Sequence, residues 1–166
     1  MLLPNLLLDP QALSALQGKH DVLLVILSWL VALAASYASL EIIRLVGSTS
    51  SSLWRSTWLA AGASVMGAGV WSMHFVGMHA YRLAFHVSHG HLLTLLSVVP
   101  AIVGSLVAMT LLCREKLSHR TLILAGTSLG LGIGVMHYSG MAAMRMPATL
   151  YYALDLFLAS LVVAVG

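Results

Sequence analysis

Four long stretches of this chain contain no Asp, Glu, Lys or Arg. Nineteen such residues lie between Asp21 and Glu41, 26 between Arg55 and Arg82, 22 between His91 and Arg114, and 24 between Arg120 and Arg145. Each exceeds the roughly 18 residues at which a membrane-crossing helix becomes the leading reading. The pattern predicts helices over 21–46, 56–82, 91–113 and 121–146. The connectors fit: GSTSSS (47–52) is a polar turn, FHVSHGH (85–91) a histidine-rich one and REKLSHR (114–120) a charged one. A fifth apolar segment begins near Leu150, is interrupted by Asp155 and continues for 11 residues to Gly166. Eleven residues do not cross a bilayer, so this segment reads as a truncated span that a longer parent protein completes. Residues 1–20 lack the basic start and small-residue cleavage site of a signal peptide. They read as an N-terminal arm at the membrane interface.

Composition agrees with the pattern. The chain is 60% hydrophobic and 8% charged, against about 25% charged in an average soluble domain. One soluble core does not hide four such runs. The expected fold is therefore all-α, a polytopic transmembrane helix bundle. The net charge of +3 is scattered over loops, so nucleic acid is not an expected partner; the lipid bilayer is. Lys and Arg set orientation instead. With the N-terminus outside, the inner loops hold Arg44, Arg55, Arg114, Lys116 and Arg120, and the outer side holds Lys19, Arg82 and Arg145. Cys113 is the only cysteine, which excludes an internal disulfide and a C-x-x-C motif.

A shift of 63 residues lays 67–82 over 130–145, with eight of 16 positions identical. The shared pattern is G-x-G-x-x-x-M-H-[FY]-x-G-M-x-A-x-R. The chain thus reads as tandem two-helix repeats: repeat 1 over about 21–83, repeat 2 over about 84–146, and the start of a truncated repeat 3 over about 147–166. Four complete spans plus a truncated fifth result. Repeated helix pairs with a site between them are a common membrane architecture.

Both repeats place a histidine inside the apolar run, with a methionine four residues on. Residues four apart share a helix face, so His74 pairs with Met78 and His137 with Met141. His74 lies eight residues before Arg82, about 12 Å along the helix axis at 1.5 Å per residue. An imidazole at that depth needs a partner. A carbonyl or hydroxyl commonly provides one, and methionines on helix faces are commonly packing material, as for Met66, Met109 and Met144. Two imidazoles with two soft thioethers also match copper, Cu(I) especially. The candidate metal ligands are His74, Met78, His137 and Met141, with Met73, Met136 and His79 as secondary candidates. The expected cofactor is copper, as Cu(I) or Cu(II), with b-type haem held axially by His74 and His137 as the alternative. A copper-handling or transport protein is a third reading. The glycines Gly67, Gly69, Gly77 and their equivalents are expected to let the second and fourth helices approach. Arg82 and Arg145 read as interface anchors. His79, His86, His89 and His91 form a second histidine set at the outer surface that either captures metal or simply titrates. Catalysis is not expected: no nucleophile–base pair or phosphate loop appears, and GLGIG (130–134) lies within a membrane helix rather than after a strand.

The phrases MHFV (73–76) and MHYS (136–139), on outer helix ends about sixty residues apart, resemble the MHYT domain, a bacterial integral-membrane sensor family. Val76 and Ser139 stand where the family phrase has threonine, and Phe75 where it has the first tyrosine. The resemblance covers essentially the whole chain. It implies a multi-pass sensory domain of the cytoplasmic (inner) membrane that binds copper through the His/Met motifs. It further implies a diatomic gas (O2, CO or NO) or redox state as the signal. The output is a cytoplasmic domain in a longer parent protein, often one of cyclic-di-GMP synthesis or degradation. A homodimer is an option.

Overall fold

A computed structural model of the chain describes residues 19–82, 88–114 and 117–145. The N-terminal arm up to residue 18, His86, Lys116 and the fifth segment over 147–166 lie outside the described residues. In chain order the elements are β1 (Lys19–His20), α1 (Val22–Ser48), α2 (Ser52–Ala80), β2 (Tyr81–Arg82), β3 (Ser88–His89), α3 (His91–Leu96), α4 (Val98–Leu112), α5 (His119–Ala142) and β4 (Met144–Arg145). The fold is an all-helical bundle, trimmed by two pairs of two-residue strands. Four spans are long and apolar enough to cross a membrane: α1, α2, α3 with α4, and α5.

Capping, rather than the first charged residue, sets where these helices begin. The Asp21 carboxylate accepts from the Leu23 and Leu24 N–H groups at 3.1 and 3.5 Å, and Ser118 Oγ accepts from Thr121 N–H at 3.2 Å. Both satisfy first-turn donors that have no intrahelical partner. α2 starts at Ser52, after Ser51, which makes no side-chain capping bond, and not beyond Arg55 as the charge pattern suggests. Hydroxyls inside the spans turn back on their own helix: Ser28 donates to the Val25 carbonyl at 2.8 Å, Ser39 to Ala35 at 2.7 Å and Ser139 to Val135 at 2.7 Å. No hydroxyl hydrogen is left facing hydrocarbon at these positions, which a membrane interior penalises.

The other helix ends also differ from the pattern. Arg82 and Arg145 do not finish α2 and α5; both lie in strands. β2 pairs antiparallel with β1, Lys19 opposite Arg82 and His20 opposite Tyr81. β4 pairs with β3, Ser88 opposite Arg145 and His89 opposite Met144. Asp21 N–H donates to the Ala80 carbonyl at 2.7 Å, and Gly90 N–H to the Ala143 carbonyl at 2.9 Å. Ala80 and Ala143 are 63 residues apart, so each repeat closes its motif-bearing end with the same stitch. A helix continued through Arg82 or Arg145 would give up these bonds.

The third span, His91–Leu112, is interrupted although its backbone stays helical at the interruption (Ser97 φ −64°, ψ −15°). The interruption falls at Ser97, between α3 and α4. Pro100, one turn on, has no N–H for the Leu96 carbonyl, and its ring collides with that carbonyl in a regular helix.

Packing corrects the expected role of the glycines. They do not chiefly join the second and fourth spans. A Cβ on Gly67 would stand 2.6 Å from the Ile102 backbone in α4, and one on Gly69 would overlap Ala35 of α1. Within repeat 2, a Cβ on Gly104 would stand 2.7 Å from the Ser128 carbonyl and 3.0 Å from Gly132 Cα. Small residues therefore seat each span against its sequence neighbour, the close approach that drives association where no hydrophobic force acts between helices. Along their length α2 packs on α1 and α4, and α4 on α5; α2 meets α5 over a short stretch only. No comparable contact joins α1 to α5. The repeats are thus set head to tail, the second span of one against the first span of the next.

Candidate functional site

The short meeting of α2 and α5 contains both motif histidines. His74 Nε2 and His137 Nδ1 are 3.2 Å apart, with ring centroids 4.8 Å apart and planes at 72°. His74 lies six residues before the end of α2 and His137 five before the end of α5, about 8–9 Å inside the stitched end at 1.5 Å per residue. One nitrogen carries the proton of this contact and the other a lone pair, an assignment that depends on tautomer.

Aromatic rings wall the pair. Phe75 stands edge-on to His74 at 5.5 Å, and Tyr138 edge-on to His137 at 4.9 Å. Phe75 is buried, and its ring tip closes over Gly140, where an added Cβ would come within 3.0 Å of Cζ. Trp71 lies against Phe75 at 4.8 Å. Its indole N–H points to the break in the third span, toward the Thr94 carbonyl and Ser97 Oγ, both at 3.0 Å.

The other candidates fall into three groups. Met78 and Met141 are part-buried and share a helix face with their histidines, four residues earlier. Met73 and Met136 precede the histidines by one residue, about 100° round the helix; Met136 is 1% exposed and belongs to the core. His79, about 140° from His74 by the same geometry, is exposed and lies 2.8 Å through Nδ1 from the Phe75 carbonyl of its own helix. Of the second histidine set, His91 is the exposed first residue of α3, and His89 occupies β3 at the position opposite Met144. His20 stacks on Tyr81 across the other strand pair at 5.0 Å.

The donor set bears on what the site can hold. Among the described residues no three His, Cys, Asp or Glu side chains come together, so of these residues the thioethers are the side chains left to complete an ion's ligands at the pair. Two imidazole nitrogens each about 2.0–2.1 Å from one ion, at a tetrahedral angle, stand about 3.3–3.4 Å apart. The observed 3.2 Å is close to that spacing, but the hydrogen-bonded nitrogens face each other, so each ring must turn to aim its lone pair at a common ion. Both nitrogens must then present lone pairs, and the shared proton leaves.

Sequence reasoning missed Trp71, Ser97 and the strand stitches. Trp71 had a signal: at the 63-residue shift it faces Gly134, one of the places where the repeat breaks. Pro100 within an apolar run was another.

The profile of the MHYT family, described as a bacterial signalling protein N-terminal repeat, matches residues 67–125 and 130–166. The chain belongs to this family of signalling domains. Among its relatives is the cyclic di-GMP phosphodiesterase NbdA of Pseudomonas aeruginosa, 39% identical over 145 residues, which are 86% of this chain and 18% of that protein. MucR of the same organism, a bifunctional diguanylate cyclase/cyclic di-GMP phosphodiesterase, is 39% identical over 152 residues, 90% of this chain and 22% of the relative. The signaling protein YkoW of Bacillus subtilis is 34% identical over 147 residues, 89% of this chain and 18% of the relative. The chain thus spans about a fifth of the length of these curated relatives. The matched region is a non-catalytic sensory domain of a multi-pass membrane protein, of the type found in bacterial proteins linked to cyclic-di-GMP turnover. No solved structure matches the chain.

Proposed function

We propose that this domain binds copper between α2 and α5, through His74 Nε2, His137 Nδ1 and the thioethers of Met78 and Met141. The bound ion takes a diatomic gas (O2, CO or NO) or responds to redox state, and the change regulates a cytoplasmic output such as cyclic-di-GMP turnover. The observation that supports this reading is the 3.2 Å approach of two imidazole nitrogens from different repeats. That spacing suits a bent N–metal–N unit, leaving positions for soft sulfur and a small ligand; linear two-coordination requires about 4 Å. The same closeness argues against haem, because a porphyrin between the rings requires the two helices to part.

The domain sits in the inner membrane with its N-terminus outside, and a homodimer is compatible with this arrangement. Arg44, Arg55, Arg114 and Arg120 lie at one end of the bundle, and Lys19, Arg82 and Arg145 at the other, with the histidines nearer the second. The richer end faces the cytoplasm. In a Cys113→Ser background, Ser88→Cys is labelled from outside intact cells and Ser118→Cys is not. The reverse result overturns the orientation.

Metal analysis of detergent-purified protein tests the site. The wild type retains copper, and the His74→Ala/His137→Ala protein retains none. A wild type that takes up no copper, reduced or oxidised, would leave a hydrogen-bonded imidazole pair in its place. A Soret band in the purified protein would put haem, the alternative, in copper's place.

A further inference from the structure

We propose that Trp71 is a positioning residue: its indole latches a hinge at Ser97 in the third span, and Phe75 ties that latch to the His74–His137 pair. The signalling role of the latch rests on the sensory reading above, while the latch itself rests on geometry alone.

The hinge exists because α3 and α4 are separate helices, and Pro100 denies the Leu96 carbonyl its usual donor. A break inside a membrane span leaves backbone groups to be satisfied by neighbouring side chains. Here Ser97 Oγ donates to the Thr94 carbonyl at 2.6 Å, and Trp71 Nε1–H is shared between that carbonyl and Ser97 Oγ, both at 3.0 Å. Ser97 is 2% exposed, so solvent does not substitute for the indole. Trp71 comes from repeat 1 and the break lies in repeat 2, which makes the bond a tie between repeats. Gly134 stands at the Trp71 position in repeat 2, so the tie is made once within the described residues.

The latch is also in line with the histidines. Trp71 touches Phe75 at 4.8 Å, and Phe75 is held between His74 at 5.5 Å and the Gly140 backbone three residues beyond His137. A ring held on three sides in a close-packed interior passes displacement on rather than absorbing it. When the imidazoles turn toward a common ligand, Phe75 is displaced along α2 toward Trp71. The hinge has an alternative at hand, because Thr94 Oγ1 is buried without a partner among the described residues.

Backbone amide exchange over residues 95–101 of the detergent-purified chain tests the latch without any ligand. Trp71→Phe keeps an aromatic ring and removes the N–H donor; exchange there accelerates about tenfold or more, while α1 is unchanged. Adding Pro100→Ala, which restores the missing N–H, returns it toward wild type. Unchanged exchange in Trp71→Phe overturns the latch. Should that variant loosen α1 as well, the double variant decides in its place: exchange over 95–101 that Pro100→Ala slows while α1 stays fast supports the latch, and exchange it leaves fast overturns it. The tie to the histidines is read from the Trp71 indole N–H resonance, identified by its loss in Trp71→Phe. His137→Ala moves this resonance and not that of exposed Trp29; an unmoved Trp71 signal overturns the tie. Cu(I) added to wild-type protein reproduces the displacement. Bound copper with an unmoved signal also overturns the tie. If no copper binds, the copper reading fails, and the His137→Ala result still decides the tie.

Discussion

The second and fourth spans end in nearly the same words, yet the two phrases sit in different surroundings. In repeat 1, Phe75 is buried against Gly140. In repeat 2 its counterpart Tyr138 is part-exposed. Gly140 is closed off by an aromatic ring, whereas the equivalent Gly77 has only Ser28 Oγ, at 4.0 Å from an added Cβ. His74 offers Nε2 to the contact and His137 offers Nδ1. Head-to-tail packing produces this asymmetry, because the motif face of α2 meets the next repeat and the motif face of α5 does not meet the previous one in the same way. Equal sequence therefore does not give equal environment. Only the histidines, at the crossing of α2 and α5, are brought back into partnership.

The largest expected effect tests that partnership. In a shared site, His74→Ala alone and His137→Ala alone each abolish copper retention. Two independent sites would instead each lose half of the bound metal. Met78→Ala and Met141→Ala weaken Cu(I) more than Cu(II), because thioether sulfur favours the softer ion.

Stability separates the two aromatic positions. Phe75→Ala empties a buried, walled position and should cost about 3 kcal/mol or more, as large-to-small changes in packed interiors do. Tyr138→Ala should cost about half that or less, its ring being part-exposed. Thermal unfolding in detergent compares them, and equal losses would contradict the head-to-tail asymmetry.

The two glycines sharpen the same point at smaller scale. Gly140→Ala pushes Phe75 aside and should cost about 1–3 kcal/mol, a typical overpacking penalty. At Gly77 the added methyl makes only an ordinary contact with Ser28 Oγ at 4.0 Å, and Ala is favoured over Gly in a helix by roughly 0.5–1 kcal/mol. Gly77→Ala is therefore neutral or slightly stabilising.

The smallest effect lies at the opposite end of the bundle, where Arg55 donates to the Cys113 carbonyl at 3.1 Å. Burial pushes the Cys113 thiol above its ordinary range, and the Arg55 charge opposes this in part. Thiolate is the reactive form, so alkylation near pH 8 is slower than for a free thiol. Arg55→Gln removes the opposing charge, raises the thiol further and slows alkylation by a few-fold, falling off as ionic strength screens the wild-type pair. Faster alkylation would contradict that assignment.

Much of this protein follows from the sequence alone. Charge-free runs of 19 to 26 residues determine that the chain crosses a membrane as helices, because hydrocarbon leaves backbone groups no partners except within the helix. The 63-residue repeat determines that two histidines lie at similar depth, since residues the same number of steps from equivalent ends are equally deep in any straight helix. Periodicity also determines which methionines share a face with them. Tertiary structure decided what lies across each face. The α-helical pattern of small residues is the same whether a glycine meets Ile102, Ala35 or Phe75, so only packing revealed that Gly67 seats α4 and Gly69 seats α1. It also decided which ring nitrogens meet, where the third span breaks, and that Trp71 fills the break. Each of these joins residues far apart along the chain, and a local pattern carries no information about which distant surface will close over it.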